Sequence, residues 1–280
     1  MMHMKRALVL HKTLHYLILA VFLAAALIPI YWMINTSFKQ NAEIYRINPT
    51  LWPEKFDFAA GYEKLLHSDF PKQLRNSFYV SMTVSVVSVL ISFHAAYAIA
   101  RMNFAGRRFG SRFILYCYLL PSSIMFIPMY MVVTKLGLSD SLLGLIVVYP
   151  TFVIPYATWI LTAYLQSISK DIEQSAIVDG CTRIGAMYRI VFPLASPGIV
   201  STFIFSFTMC WSEFLYSLVI ITSRDHKTMT VGLADLIVTD IYPWAALSAG
   251  AVFSTIPVLL LFVLASRYVT TGLTAGGVKA

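Results

Sequence analysis

The sequence predicts an all-α integral membrane protein with six transmembrane helices. Three observations carry that expectation. Of 280 residues, 58% are hydrophobic and 12% charged, with a mean hydropathy of +0.72, whereas soluble domains carry about 25% charged residues. Six apolar stretches, at about 14–36, 77–100, 113–134, 142–166, 198–222 and 244–266, each match the roughly 20 helical residues that a bilayer core needs. Basic residues gather in alternate loops, the usual mark of cytoplasmic segments. The same composition excludes a water-soluble globule, a disordered chain and, with three cysteines, a disulfide scaffold.

The first stretch follows Lys5, Arg6 and Lys12 and contains Ala24-Ala25-Ala26. It runs on through Ile28, Ile30, Tyr31, Trp32 and Met33, too long for the apolar core of a cleaved signal peptide. It is expected to remain as a span. The six stretches lack the two-residue alternation of barrel strands, and helices satisfy their own backbone in hydrocarbon. His15, His94 and Glu213 are their only Asp, Glu, Lys, Arg or His residues.

Six spans put both termini on one side. With the termini inside, segments 1–13, 101–112, 167–197 and the tail after 266 hold 12 Lys or Arg against 3 acids, and the outer loops hold 9 of each. The stretch RMNFAGRRFGSR at 101–112 is the sharpest marker, with four arginines and no acid. Both termini are expected to be cytoplasmic. The net charge of +8 is thus spread over short tethers and gives no nucleic-acid surface.

Two connections exceed simple turns. The outer one, 37–76, is broken by Pro49, Pro53 and Pro71, with Phe58 to His67 suited to a short surface helix. The inner one, 167–197, reads as a helix–turn–helix. Asp171 to Val178 forms the first helix, with Ser169 or Asp171 as N-cap. Asp179-Gly180 stops it. Thr182 to Val191 forms the second, with Ile184, Met187, Tyr188 and Val191 on one face, and Pro193 ends it. Ser196-Pro197 then opens the fifth span as N-cap and first helical residue. Such a loop is either an interfacial hairpin packed on its own bundle or a docking surface for a cytoplasmic partner.

The loop resembles the EAA loop of ABC importer permeases, whose pattern is Glu-Ala-Ala, three residues, Gly, nine residues, Ile, one residue, Leu-Pro. Gln174-Ser175-Ala176 takes the first positions, Gly180 the glycine, and Ile190, Val191, Phe192 and Pro193 the end, at unchanged spacing. Gln174 stands for the usual glutamate and Ser175 for the first alanine. Glu173 lies one residue early, about 100° around the helix. SFK at 37–39, NSF at 76–78, HAAYAIARMNF at 94–104, IPMYMVVTKLGLSDS at 127–141, WSEFLYSLVI at 211–220 and GLTAGGVKA at 272–280 extend the likeness along the chain. They narrow it to the carbohydrate-uptake subfamily, in its maltose-type second permease subunit.

The resemblance implies a single permease domain over 1–280 in a multi-pass plasma (inner) membrane protein. The implied complex adds a second permease subunit, two cytoplasmic ATPase subunits and an extracytoplasmic solute-binding protein, and it takes up a carbohydrate or polyol by alternating access. ATP and Mg²⁺ would be bound by the ATPase subunits, with no cofactor in this chain. Glu173, Gln174, Ser175, Ala176, Asp179, Gly180, Ile190 and Pro193 would couple to the ATPases. Trp211, Glu213, Phe214 and Tyr216 are candidates for the translocation path, although the resemblance places the sugar site mainly in the other permease.

A phosphate-cradling loop needs two glycines followed by Lys and Ser or Thr. Gly180 and Gly185 have the spacing, but Ala186-Met187 follows, so the chain is expected to be no enzyme. Glu213 reads either as a hydrogen bond between helices or as a hydroxyl acceptor or charge partner on the path. His94 reads as an interhelical donor or a proton relay. Cys117, Cys181 and Cys210 have no paired spacing, and no His/Cys cluster fits a metal. The alternatives to an importer permease are a secondary transporter and a membrane-embedded enzyme. Against them stand a single intramembrane acid and the lack of a catalytic constellation.

Overall fold

The computed structural model describes the backbone of residues 2–237 and 242–277, and the side chains of 12–237 and 242–266. Among the described residues every regular element is helical. In chain order these are α1 (Met2–Ser37), α2 (Asn41–Ile44), a π-helical turn Ala59–Glu63 running into α3 (Lys64–Leu66), α4 (Phe70–Arg101), α5 (Arg107–Leu119), α6 (Ser122–Lys135), α7 (Leu142–Val148) and α8 (Pro150–Ser167). There follow α9 (Lys170–Val178), α10 (Arg183–Ala186), a second π-helical turn Met187–Val191, α11 (Phe192–Leu194), α12 (Ser196–Trp211), α13 (Leu215–Ile220), α14 (Met229–Ala234) and α15 (Trp244–Gly277). The last three residues of the 272–280 motif lie outside the described residues.

Four stretches are long and apolar enough to cross a membrane: Lys12–Ser37, Phe70–Arg101, Leu142–Ser167 and Trp244–Ser266. Two further candidates are bent pairs, Arg107–Leu119 with Ser122–Lys135 at 98° and Arg183–Leu194 with Ser196–Trp211 at 73°. Two of the expected straight spans are corrected here. The stretch 113–134 is broken at Pro121, because a proline drives the residue before it out of the helical region and Leu120 is extended, with φ −67° and ψ 126°. The stretch 198–222 is interrupted at residues 212–214, between α12 and α13.

The chain divides into two compact units, Met1–Ser68 with Leu236–Thr255, and Asp69–Asp235 with Ile256–Ala280. In the first, the segment after α1 folds back on itself. Lys39 is buried, donates to the Thr50 carbonyl, and lies 5.0 Å from the centroid of the Trp32 ring. Buried Glu43 accepts from the Thr50 hydroxyl and the Glu54 N–H. The surface helix expected over Phe58 to His67 is present as a π turn running into α3, with Gly61, Tyr62 and Leu65 on its buried face. It is packed because Tyr62 contacts Phe38 and Phe58 and hydrogen-bonds Ser37 Oγ at 2.9 Å.

In the second unit α4 packs against α8 and α12. Its contact face is a stripe of buried serines, Ser77, Ser81, Ser85, Ser88 and Ser92, at the three- and four-residue spacing that shares one helix face. Small side chains let helix backbones approach in a bilayer, where no hydrophobic effect drives association. The remaining core falls into two clusters. One joins Val80, Val84, Leu145, Tyr149, Cys210 and Ile220. The other joins Phe93, Ala96, Tyr97 and Leu165 to Met187 and Val191 of the loop 167–197. The loop is therefore built into the bundle's core on one side.

The connection between α6 and α7 is held by Asp140, which adopts φ 53°. Its Oδ1 accepts the N–H groups of Ser223 at 2.8 Å and Thr222 at 3.0 Å. Those donors, Ser223 first, hold its carboxyl below the usual aspartate range. A depressed folded value means stabilisation that is present above the unfolded value, about 3.9, and lost as pH falls through the folded one. Asp140→Asn, which tolerates the same backbone, is expected to flatten the acid limb of thermal stability in the purified protein. An unchanged acid limb would show that this carboxylate contributes nothing.

Candidate functional site

The loop 167–197 is assembled from local signals. Ser169 Oγ accepts the Asp171 N–H at 3.1 Å and caps α9. At the other end Gly180 has φ +91°. Its N–H bonds the Ile177 carbonyl at 3.1 Å, and the Cys181 N–H bonds that of Ala176 at 2.9 Å. These two bonds define a Schellman ending, which requires the left-handed residue that glycine supplies without strain. Thr182 Oγ1 then accepts the Gly185 N–H at 3.1 Å and caps α10.

Beyond α10 the loop departs from expectation in two ways. The π turn at Met187–Val191 splits the expected single face. Met187 and Val191 are buried, while Ile184 and Tyr188 are exposed. The wider π turn shifts the angular register, so a three- and four-residue spacing no longer keeps four side chains together. The second departure lies at 193–197. Pro193 sits within α11, and Ala195, not Ser196, is the residue before α12, with no side-chain cap. Pro193 has no N–H to give the preceding turn, and the helical run from Arg183 ends one residue after it, at Leu194.

The loop shows two faces. Gln174, Ser175, Asp179, Gly180 and Pro193 are exposed, and Ala176 and Ile190 are half-buried. Ile172, Ile177, Val178, Ile184 and Tyr188 add an exposed apolar surface. Glu173 points the other way and is buried. Its Oε1 accepts the Tyr97 hydroxyl at 2.5 Å, and its Oε2 lies 3.5 Å from Arg101 Nε. Arg101 Nη2 also donates to the carbonyls of Leu165 at 2.9 Å and Ile168 at 2.8 Å. One arginine at the end of α4 thus ties the end of α8 to α9. Removing one partner of a buried pair costs roughly 3–5 kcal/mol, against about 0–1 kcal/mol for an exposed one. His94 Nε2 meets the Tyr188 hydroxyl at 2.6 Å, and its Nδ1 faces the Leu90 carbonyl at 2.7 Å. Nδ1 therefore carries the proton, and both nitrogens are used in packing.

Tyr97 and Arg101 were not singled out in the sequence. The signal was present: 94, 97 and 101 share one helical stripe of α4 inside the HAAYAIARMNF stretch, and Arg101 begins the arginine-rich segment.

Glu213 does not lie in mid-helix as expected. It sits in the break between α12 and α13, where its carboxylate accepts the N–H groups of Tyr216 at 2.8 Å and Ser217 at 3.2 Å. The Tyr149 hydroxyl donates to Oε2 at 2.8 Å. The side chain satisfies first-turn amides of α13 that a membrane would leave unpaired. Of the other candidates on this stretch, Trp211 is buried and stacks on Phe207, Tyr216 is buried with its hydroxyl donating to the Ser122 carbonyl at 3.0 Å, and Phe214 is exposed. A cavity of about 620 Å³ in the first unit is lined in part by Trp32, Lys39, Glu43 and Trp244. Cys117, Cys181 and Cys210 are free thiols, and no metal-ligating cluster occurs among the described residues.

Comparison with known proteins converges on one family. The model of the binding-protein-dependent transport system inner membrane component matches residues 72–274. The inner membrane ABC transporter permease protein YcjP of Escherichia coli is 33% identical, over 93% of this chain and 94% of its own length. The sulfoquinovosyl glycerol transport system permease protein SmoH of Agrobacterium fabrum is 34% identical, over 96% and 94%. The trehalose/maltose transport system permease protein MalG of Thermococcus litoralis is 31% identical, over 90% and 91%. Among solved structures, a bacterial ABC transporter involved in the import of the acidic polysaccharide alginate superposes with a TM-score of 0.76. That match is at 22% identity and covers 92% of this chain and 96% of the other, which establishes the shared fold. With nearly three-quarters of its length matched by the family model and full-length permease relatives above 30% identity, this chain belongs to the binding-protein-dependent transport system inner membrane components, the multi-pass permease subunits of ABC importers.

Proposed function

We propose that this subunit forms, with a second permease, the path by which an ABC importer takes up a carbohydrate or polyol handed over by an extracytoplasmic binding protein. The loop 167–197 is its coupling element to two cytoplasmic ATPase subunits, which bind the ATP and Mg²⁺. The observation that carries this reading is the two-faced loop. It is rooted in the bundle through Glu173, Met187 and Val191 and presents Ile172, Ile177, Val178, Ile184 and Tyr188 outward. An exposed apolar patch is the usual mark of an interaction surface. The carbohydrate class rests on relatives named for sulfoquinovosyl glycerol, diacetylchitobiose and trehalose/maltose transport.

In this reading the chain is one transmembrane domain with six spans, the third bent at Pro121 and the fifth interrupted at Glu213. Both termini are cytoplasmic, as the basic bias of 101–112 and 167–197 supports. A tag placed after Ala280 is expected to be labelled only after the membrane is breached. Labelling in intact cells would overturn the topology. Function is tested by uptake of labelled sugars and polyols into vesicles carrying the complex and its binding protein. The expected uptake requires ATP on the ATPase side and ceases without the binding protein. Uptake driven by an ion gradient without ATP would point to secondary transport instead.

A further inference from the structure

The geometry points to the stripe His94–Tyr97–Arg101 on α4 as the joint that passes movement of the loop 167–197 into the bundle, with the buried Glu173 contact as its load-carrying link. The inference rests on the coupling reading of that loop and adds to it a route and named positioning residues. Three side chains of one α4 stripe reach both halves of the loop. His94 meets Tyr188 in the π turn after α10, Tyr97 hydrogen-bonds Glu173 on α9, and Arg101 pairs with Glu173 while bonding the last carbonyls of α8. Phe93, next to this stripe, packs edge-on against Phe192 of α11, with ring centroids 5.1 Å apart.

The chemistry of the link suits transmission better than apolar packing alone. Apolar contacts slide, because they are non-directional. A buried carboxylate that accepts a phenol hydroxyl and lies 3.5 Å from a guanidinium nitrogen resists withdrawal, which would leave a charge without its partner in a low-dielectric site. The one-residue offset of Glu173 from Gln174 gives the two side chains different tasks. Gln174 faces outward, where a partner can meet it, and Glu173 faces α4. A push on the outer face of α9 is then delivered to the end of α4, whose serine-lined face packs on α8 and α12.

The test is hydrogen–deuterium exchange on the whole complex of both permeases and both ATPases, nucleotide-free and with Mg²⁺ and a non-hydrolysable ATP analogue. In the wild type, nucleotide is expected to change exchange in α9 and also in the last two turns of α4, by about tenfold at the latter. In Glu173→Gln the change in α9 should persist, because the outward face is intact. The change in α4 should fall below about twofold, under the roughly fivefold lower end of a coupled response. Tyr97→Phe, which removes one hydroxyl and keeps the packing, should reduce the α4 response less than Glu173→Gln, and it decides the matter if the latter fails to assemble. An α4 response of wild-type size in an assembled Glu173→Gln or Tyr97→Phe complex overturns the joint while leaving the coupling loop standing. A purely structural role would lower the yield of complex and leave the response per assembled complex unchanged, which also overturns it. Absence of any nucleotide response in wild-type α9 would instead remove the coupling reading itself.

Discussion

Gly180→Val is expected to abolish coupled transport while leaving a permease that inserts and pairs with its partner. The residue sits at φ +91° with nothing within 4 Å of an added Cβ, so the cost is conformational and not a clash. A β-branched side chain in the left-handed region is a strong outlier, with a strain on the order of 1–3 kcal/mol. The backbone can relieve it by abandoning the two Schellman hydrogen bonds, from Gly180 to Ile177 and from Cys181 to Ala176. The angle between α9 and α10 then changes and the outward face of the loop breaks up. The spans do not depend on this turn. The check is co-purification of the ATPase subunits together with hydrolysis stimulated by the binding protein. Gly180→Asn, which tolerates the left-handed region, should behave nearly as wild type. Wild-type association and stimulation in Gly180→Val would show that the loop is an interfacial hairpin.

Replacement of Glu213 should be costly in proportion to the hydrogen bonds lost, and charge alone should matter little. The carboxylate accepts three donors, the Tyr216 and Ser217 amides and the Tyr149 hydroxyl. Glu213→Gln offers one oxygen, and its amide group faces a donor in either orientation. Loss of one such acceptor leaves a buried group unsatisfied at about 1–3 kcal/mol. Glu213→Leu leaves all three donors without their acceptor. Thermal stability of the permease pair in detergent is expected to fall in the order wild type, Gln, Leu, with Gln transporting at near-normal rate per assembled complex. A Gln variant of normal stability that fails to transport would assign the charge to the translocation path.

These two sites differ in how far the sequence revealed them. The turn at Gly180 was legible because its causes are local: a capping residue at the start of α9 and an Asp-Gly stop act within a few residues of themselves, whereas Thr182, read as the first residue of the second helix, proved to be its cap. The break at Glu213 was not. The stretch 198–222 has no proline after Pro197 and one glycine, Gly198, so nothing in its composition interrupts a helix. The interruption is supported from elsewhere, by Tyr149 across from α12 and by the Thr230 hydroxyl on the Glu213 carbonyl at 2.7 Å. At Pro121 the sequence offers a proline, but Pro29, Pro128, Pro155 and Pro257 stand inside unbroken helices, so packing decided both which proline breaks its helix and the 98° angle there.

By itself, then, the sequence determined what hydropathy, charge and short-range backbone chemistry determine. That includes residence in a membrane, an all-helical chain, a gathering of basic residues in alternate loops, a helix pair at 167–197 and a spacing that resembled one family of permeases. Only the tertiary structure decided which way each loop residue faces. On the pattern of α9 alone, Glu173 and Gln174 are neighbouring polar residues with equal claim to a partner. Glu173 turns inward because Arg101 and Tyr97, some seventy residues earlier, wait on the helix it packs against. The serine face of α4 followed the same rule. A run of small hydroxyl residues is neutral in propensity, and it acquires meaning when α8 and α12 come close enough to need it. Local free energies fix the elements, whereas pairings across long stretches of chain depend on a packing geometry that no window of sequence contains.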